Sequence, residues 1–287
     1  MDVVATGDPQ EFLDRAAGHL AAEPVLTNVV GVVADRMRRG VGDRPDPWFA
    51  TVEDGGRVVA VAMHTHPNAY VGPGPEGTGA AVATALLAAG RDVAGFTGDR
   101  GPAAEAVAAW TARRGGTGRV VTDEGVYVLG TLTPPAGVPG TARRADATDA
   151  DLVVGWYVDF CVEAFAHRDP PPLTEVAEQV EAGLAERRWL LWDVDGAPVS
   201  LAGRSGPVLG VGRVGPVWTP VAHRRRGYAA MVTAATATSL LDDGAEQVML
   251  FTDLANPTSN GVYLRLGFER VGDAVEYTLD PVVQPTG

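Results

Sequence analysis

The sequence predicts an α/β chain of two successive domains, and three observations predict it. A length of 287 residues accommodates two domains of ordinary size. Thr133-Pro134-Pro135-Ala136-Gly137-Val138-Pro139-Gly140 gathers proline and glycine with no apolar periodicity, so it reads as a linker between residues 1–135 and 141–287. On either side of it, strand patterns alternate with helical ones in the same order.

In the first half, Phe49–Val52 and Arg57–Met63 flank Gly55-Gly56 as a hairpin. Thr78–Ala89 reads as a helix, Val93–Thr97 as a strand, Pro102–Arg114 as a helix and Gly125–Leu132 as a strand. The helix at Thr78 follows Gly72-Pro73-Gly74-Pro75-Glu76-Gly77, a loop with no positive charge.

The second half reads β-α-α-β-β-β-α-β-α-β-β. Thr148–Ala166 is a helix with Thr148 or Asp149 as its cap, and Leu173–Arg187 is a second, begun after three prolines. Trp189–Val194 and Pro198–Ala202 flank Asp195-Gly196, a strong hairpin signal. Val208–Thr219 is a longer strand that ends at Pro220. A basic loop, His223-Arg224-Arg225-Arg226-Gly227, then leads into the helix Tyr228–Leu241, and Gln247–Thr252 is the next strand. Proline at 216 removes a ladder donor, which places a bulge at Gly215-Pro216.

The turn from Arg224 to Ala229 carries the chemistry. A helix start leaves several N–H groups without an intrahelical partner, and the dipole makes that end positive. Such a turn holds a phosphate or diphosphate, and glycine at 227 lets the backbone approach it closely. Taken alone it is equally a basic turn before an ordinary helix.

The residues downstream sharpen this. Arg224, Gly227 and Ala229 fill the pattern Gln/Arg-x-x-Gly-x-Gly/Ala; a strand follows, then Asn256, Asn260 and Tyr263, then Leu266-Gly267-Phe268. In that order the features resemble the GNAT superfamily of acyl-CoA-dependent N-acyltransferases, over roughly residues 141–281 and most strongly over 214–268. The resemblance implies tandem GNAT-like domains, each a mixed, mostly antiparallel sheet flanked by helices, with the first degenerate because it lacks the basic loop. It implies acetyl-CoA as co-substrate and direct attack by a primary amine of a small molecule or peptide. Val217 and Thr219 then bond the pantetheine arm through their main chain. Arg224, Arg225, Arg226, Gly227, Tyr228 and Ala229 hold the diphosphate, and Asn260 binds the cofactor on the same helix face as Tyr263. Asn256, before Pro257, reads as a helix cap.

Tyr263 is the candidate general acid, since a phenol's ordinary pKa of about 10 lies near a thiol's roughly 8.5; otherwise it is a core tyrosine. For the base, Asp253 heads three candidates, with Glu163 and His223 beside it. Trp156, Tyr157, Phe160, Phe165 and His167 mark either an acceptor pocket or core packing, and Cys161 reads as a small buried apolar residue. An acyl-CoA-binding regulator without turnover, and a tandem transferase of the mycothiol synthase kind, are the rival readings.

Composition narrows the classes. The balance of 23 basic to 36 acidic residues gives −13, which disfavours a nucleic-acid binder and mildly favours a cationic acceptor. Every basic residue other than histidine is arginine. No apolar run is long enough for a membrane span, no leader pattern opens the chain, and a single cysteine excludes an internal disulfide, so the expectation is a cytoplasmic protein away from membranes. No Cys/His spacing suggests a metal, and a homodimer is a further expectation.

Overall fold

A computed structural model describes residues 1–41, 45–65, 67–165 and 170–280. The chain divides into two compact units, and they differ from a cut at the linker. The first comprises Met1–Val126, Asp253–Ala255 and the chain from Val271 onward; the second comprises Tyr127–Thr252 and Asn256–Arg270.

In the first unit the elements run β1 (Asp2–Thr6), α1 (Pro9–Ala22), α2 (Asn28–Arg38), β2 (Trp48–Asp54), β3 (Arg57–His64), β4 (Asn68–Val71), α3 (Thr78–Ala88), β5 (Gly95–Asp99), α4 (Arg100–Arg114) and β6 (Thr117–Leu129), the last three residues of β6 counting with the second unit. Asp8 caps α1 by accepting from the N–H groups of Gln10 and Glu11, and Pro9 opens the helix. Neighbouring strands follow the order β1-β2-β3-β4-β5, antiparallel except for the parallel pair β4/β5. Val82, Leu86, Phe96 and Trp110 pack the core between this sheet and α3 and α4.

The second unit runs β7 (Thr141–Arg144), α5 (Ala150–Ala164), α6 (Leu173–Ala185), β8 (Trp189–Val194), β9 (Ala197–Val208), β10 (Val211–Trp218), α7 (Tyr228–Asp242), β11 (Gln247–Asp253), α8 (Pro257–Leu266) and β12 (Phe268–Asp280), Asp253 of β11 and Val271–Asp280 of β12 counting with the first unit. Its strands repeat the same scheme, β7-β8-β9-β10-β11, with only β10/β11 parallel. Both units are therefore mixed, mostly antiparallel sheets flanked by helices, as the sequence led us to expect. Asp149, one of the two residues expected to cap α5, stands at its N-cap position but makes no side-chain cap bond to that helix. Asp146 accepts from Thr148 N–H, while Asp149 reaches back to Asp146 N–H and to Arg143.

The closing β-β of the second half is one long strand. Ala274–Thr278 of β12 pair antiparallel with Asp99–Gly95 of β5, so the sheet of the first unit takes a strand from far along the sequence. Tyr277 and Leu279 pack against that unit's core. The sequence reading also missed β1, α1, α2 and β4. Among the described residues no helix is long and apolar enough to cross a membrane.

Candidate functional site

β10 starts as a regular parallel neighbour of β11 and then leaves it. The pairs run Val211–Gln247, Gly212–Val248 and Arg213–Met249, and the ladder stops there although β10 continues to Trp218. On its other edge β10 stays bonded to β9, with a register shift between Val214 and Val217. The bulge thus falls at Gly215-Pro216, where the sequence placed it. A bulge re-aims a strand, and here it leaves the β11-facing edge of Val214–Trp218 without a ladder partner among the described residues. Such an edge is a ready template for main-chain bonds to an extended ligand. Val217 lies on this stretch.

Just beyond it, Gly227 sits at φ +85° and opens α7 with no side-chain cap. The first helical bond runs from Met231 N–H to Gly227 C=O, which leaves the N–H groups of Tyr228, Ala229 and Ala230 at the positive end of the helix dipole. They border a pocket of about 630 Å³. His223, Arg225, Thr219 and Gly227 line it from the loop, Thr258, Val262 and Arg265 from α8, and Thr133, Pro134 and Pro135 from the segment after β6. Arg225 and Arg265 supply the positive charge. The sequence reading missed Arg265 and Thr258, and it treated the prolines as linker only. The spacing of Thr258, Val262 and Arg265 on one flank of α8 is the signal that was available.

Arg224 does something else. Its Nε donates to Thr219 C=O at 2.9 Å, its Nη2 donates to Glu163 Oε2 at 2.8 Å, and its guanidinium stacks on the Trp218 ring at 4.8 Å. It braces the end of β10 against α5. Glu163 is thereby engaged as an ion-pair partner. Arg226 is exposed and does not border the pocket.

Tyr263 and Asn260 both lie on α8, and the Tyr263 ring packs edge-on against Phe268 at 6.1 Å. Burial pushes the phenol up to about 12, and its hydroxyl has no hydrogen-bond partner among the described residues. Asn256 is the cap of α8, accepting from Ser259 N–H. Asp253 is exposed at the end of β11 and accepts from Ala255 N–H, closing a tight local turn. His223 borders the pocket with its Nδ1 buried and without a partner. Trp156, Tyr157 and Phe160 pack against the core beneath α5, and Cys161 is buried, its thiol pushed up by burial. His167 lies outside the described residues.

The equivalent place in the first unit is closed. Gly77 opens α3 at φ +91°, the same turn as at Gly227, but the Glu105 carboxylate accepts from Gly77 N–H at 3.0 Å and Gly79 N–H at 2.9 Å. The chain's own anion occupies the helix N-terminus. All four residues of β4 pair with β5, so no open edge lies between those strands.

Comparison with known proteins agrees with this geometry. Residues 207–277 match the family model of FR47-like proteins. Over its full length the chain is similar in structure to a GCN5-related N-acetyltransferase from Sphaerobacter thermophilus, with 17% identity, a TM-score of 0.60, and 99% of this chain and 98% of that one covered. It is similar to a GNAT-family acetyltransferase from Colwellia psychrerythraea at 12% identity, TM-score 0.57, covering 98% and 100%. A tandem GNAT protein from the clavulanic acid biosynthesis pathway gives 19% identity, TM-score 0.54, and 96% and 97% coverage. No curated protein sequence matches the chain. The fold is that of the GNAT acetyltransferases, in the tandem arrangement.

Proposed function

We propose that the chain is an acetyl-CoA-dependent N-acetyltransferase whose active site lies in the second unit. The observation that carries this is the open, uncapped start of α7 standing directly after the strand edge freed by the bulge. The N–H groups of Tyr228, Ala229 and Ala230, with Arg225 and Arg265, suit a diphosphate. The free edge of β10 at Val217 suits the amide groups of a pantetheine arm. Thr219 contributes through its N–H, because its carbonyl is bonded to Arg224.

In the reaction the amine nitrogen attacks the thioester carbon, the C–S bond breaks, and the nitrogen sheds a proton while the sulfur gains one. Tyr263 serves the sulfur. A phenol near 12 is a weaker acid than a thiol near 8.5, so it keeps its proton at rest. Its contribution is a hydrogen bond to the developing thiolate, worth most in the transition state. Water takes the proton from nitrogen.

The test is calorimetry with CoA, followed by release of free thiol from acetyl-CoA across a panel of amines. One CoA per chain with thiol release is expected. No CoA binding overturns the proposal, and binding without turnover on any amine makes the chain an acyl-CoA sensor.

A further inference from the structure

The pocket at the start of α7 has a lining of two kinds. The N–H groups of the helix start and Arg225 account for a diphosphate. Pro134, Pro135 and Val262 offer apolar surface that no phosphate uses, and Arg265 adds a flat cation. No Asp or Glu lines the pocket, and neither arginine has an ion-pair partner among the described residues. Its positive charge is therefore uncompensated, in a chain whose balance is −13.

The proline wall is fixed at both ends. Gly130 N–H donates to Gly267 C=O at 2.8 Å and Thr133 N–H to Leu266 C=O at 3.0 Å, which ties the segment to the end of α8. Further on, Trp192 Nε1 donates to Pro139 C=O at 2.9 Å, and Val138 lies against Gly227. Two consecutive prolines also hold φ near its ring-locked value, so this surface is preorganised. From α8, Arg265 folds back over Gly261, its Nη1 3.2 Å from where a Cβ there would stand. Its guanidinium thus lies along the helix towards Thr258, which borders the same pocket.

The order of groups in CoA gives this lining its meaning. The pantetheine arm leaves the diphosphate along the β10 edge, and none of Val214–Trp218 borders the pocket. What remains on the other side of the diphosphate is adenosine with its 3′-phosphate. A purine presents apolar faces, which suit proline rings. A guanidinium stacks on an aromatic face and bonds a phosphate through its edge.

We propose that Pro134 and Pro135, with Arg265, form a seat for the adenine ring and 3′-phosphate of the acyl donor. The seat selects thioesters of free CoA over those of a phosphopantetheine-bearing carrier protein, which lack the adenosine. The proposal rests on the reading of the second unit as a CoA-dependent transferase, and it gives the Pro/Gly segment a role beyond joining two halves.

Calorimetry on the full chain with three probes tests it: CoA, adenosine 3′,5′-bisphosphate and 4′-phosphopantetheine. The bisphosphate is expected to bind alone and to compete with CoA. Pro134→Ala/Pro135→Ala, and separately Arg265→Gln, should weaken CoA and the bisphosphate by roughly 10-fold or more while phosphopantetheine changes less than about twofold. Arg265 is exposed, so its variant is judged whether or not the linker variant folds. In thiol release, acetyl-CoA should exceed S-acetylphosphopantetheine in kcat/KM, and both variants should narrow that ratio. Equal losses for phosphopantetheine would show that the linker only shapes the loop, and would overturn the seat. So would a bisphosphate that does not bind, or CoA affinity indifferent to all three substitutions. A bisphosphate that binds and is weakened by the variants, with no thiol release on any amine, leaves the seat standing and removes the transferase reading.

Discussion

Tyr263 and Glu163 show how differently two polar residues behave once placed. Replacing Tyr263 by Phe keeps the packing on Phe268 and removes only the donor, so kcat should fall about 10²- to 10³-fold with CoA affinity within a small factor. Ultraviolet titration offers a second readout. The wild type should show one phenol ionising near pH 12, absent from the variant. The unfolded chain ionises this phenol near its ordinary value of 10, before the folded chain does. Stability therefore falls by on the order of 2–3 kcal/mol as pH climbs from about 10 to about 12, and denaturant midpoints across that range measure it. Glu163→Gln should leave kcat within about threefold, because that carboxylate braces Arg224 and the pair is half-exposed, worth at most roughly 1 kcal/mol. A large drop in turnover would return Glu163 to the list of bases. The motif was legible at this scale because Arg-x-x-Gly-x-Ala is local. The direction each arginine takes was not, since Trp218, Glu163 and Thr219, which together claim Arg224, are brought to it by folding.

At the scale of elements, two helix starts built on the same glycine turn have opposite fates. Gly227 cannot take a side chain freely, for a Cβ there would meet Val138 Cγ2 at 2.8 Å and the φ of +85° disfavours any other residue. Gly227→Val should cost about 1–2 kcal/mol in strain and abolish CoA binding measured by calorimetry. At α3 the anion is internal. Glu105→Ala should lower thermal stability by roughly 1–3 kcal/mol, the cost of uncapping buried N–H groups, and still leave one CoA site per chain. A second site in that variant would show that Glu105 alone had kept one closed. The sequence announced that the loop before α3 carries no positive charge, but Glu105 stands too far along the chain for any local rule to pair it with Gly77. Strand and helix alternation was readable from Phe49 on because hairpins and caps are local signals. β4 was missed because four residues carry too little pattern. An ion-paired network anchors the start of α5: Arg143 donates to Asp149 and to Asp193, and holds the Asp149 carboxyl below the usual carboxylate range. That stability is present above the ordinary value near 3.9 and is lost as pH falls through the depressed one. Asp149→Asn should flatten the acid end of the stability profile and cost roughly 2–4 kcal/mol at neutral pH, read from urea midpoints.

Across the whole molecule, the linear division at the Pro/Gly segment describes the gene better than the fold. Length, the Pro/Gly linker and the repeated strand–helix order revealed two halves, and no local signal revealed that Ala274–Thr278 would complete the sheet begun by the first. Long-range antiparallel pairing depends on which edge is left open, and β5 offers one to whichever strand arrives. The Gly95 main chain fits against Tyr277 so closely that an added Cβ would lie 2.1 Å from the Tyr277 carbonyl oxygen. This pairing sets a timetable for synthesis. On the ribosome β5 emerges early, and the strand that belongs beside it is translated only after the entire second unit. Until then the nascent first unit presents an unsatisfied sheet edge and a core missing Tyr277 and Leu279. Chains arrested before Val271 should therefore be protease-sensitive within residues 1–126 and should recruit chaperones, whereas chains released beyond Asp280 should resist; a truncation at 270 whose first unit is already resistant would show that the edge needs no such completion.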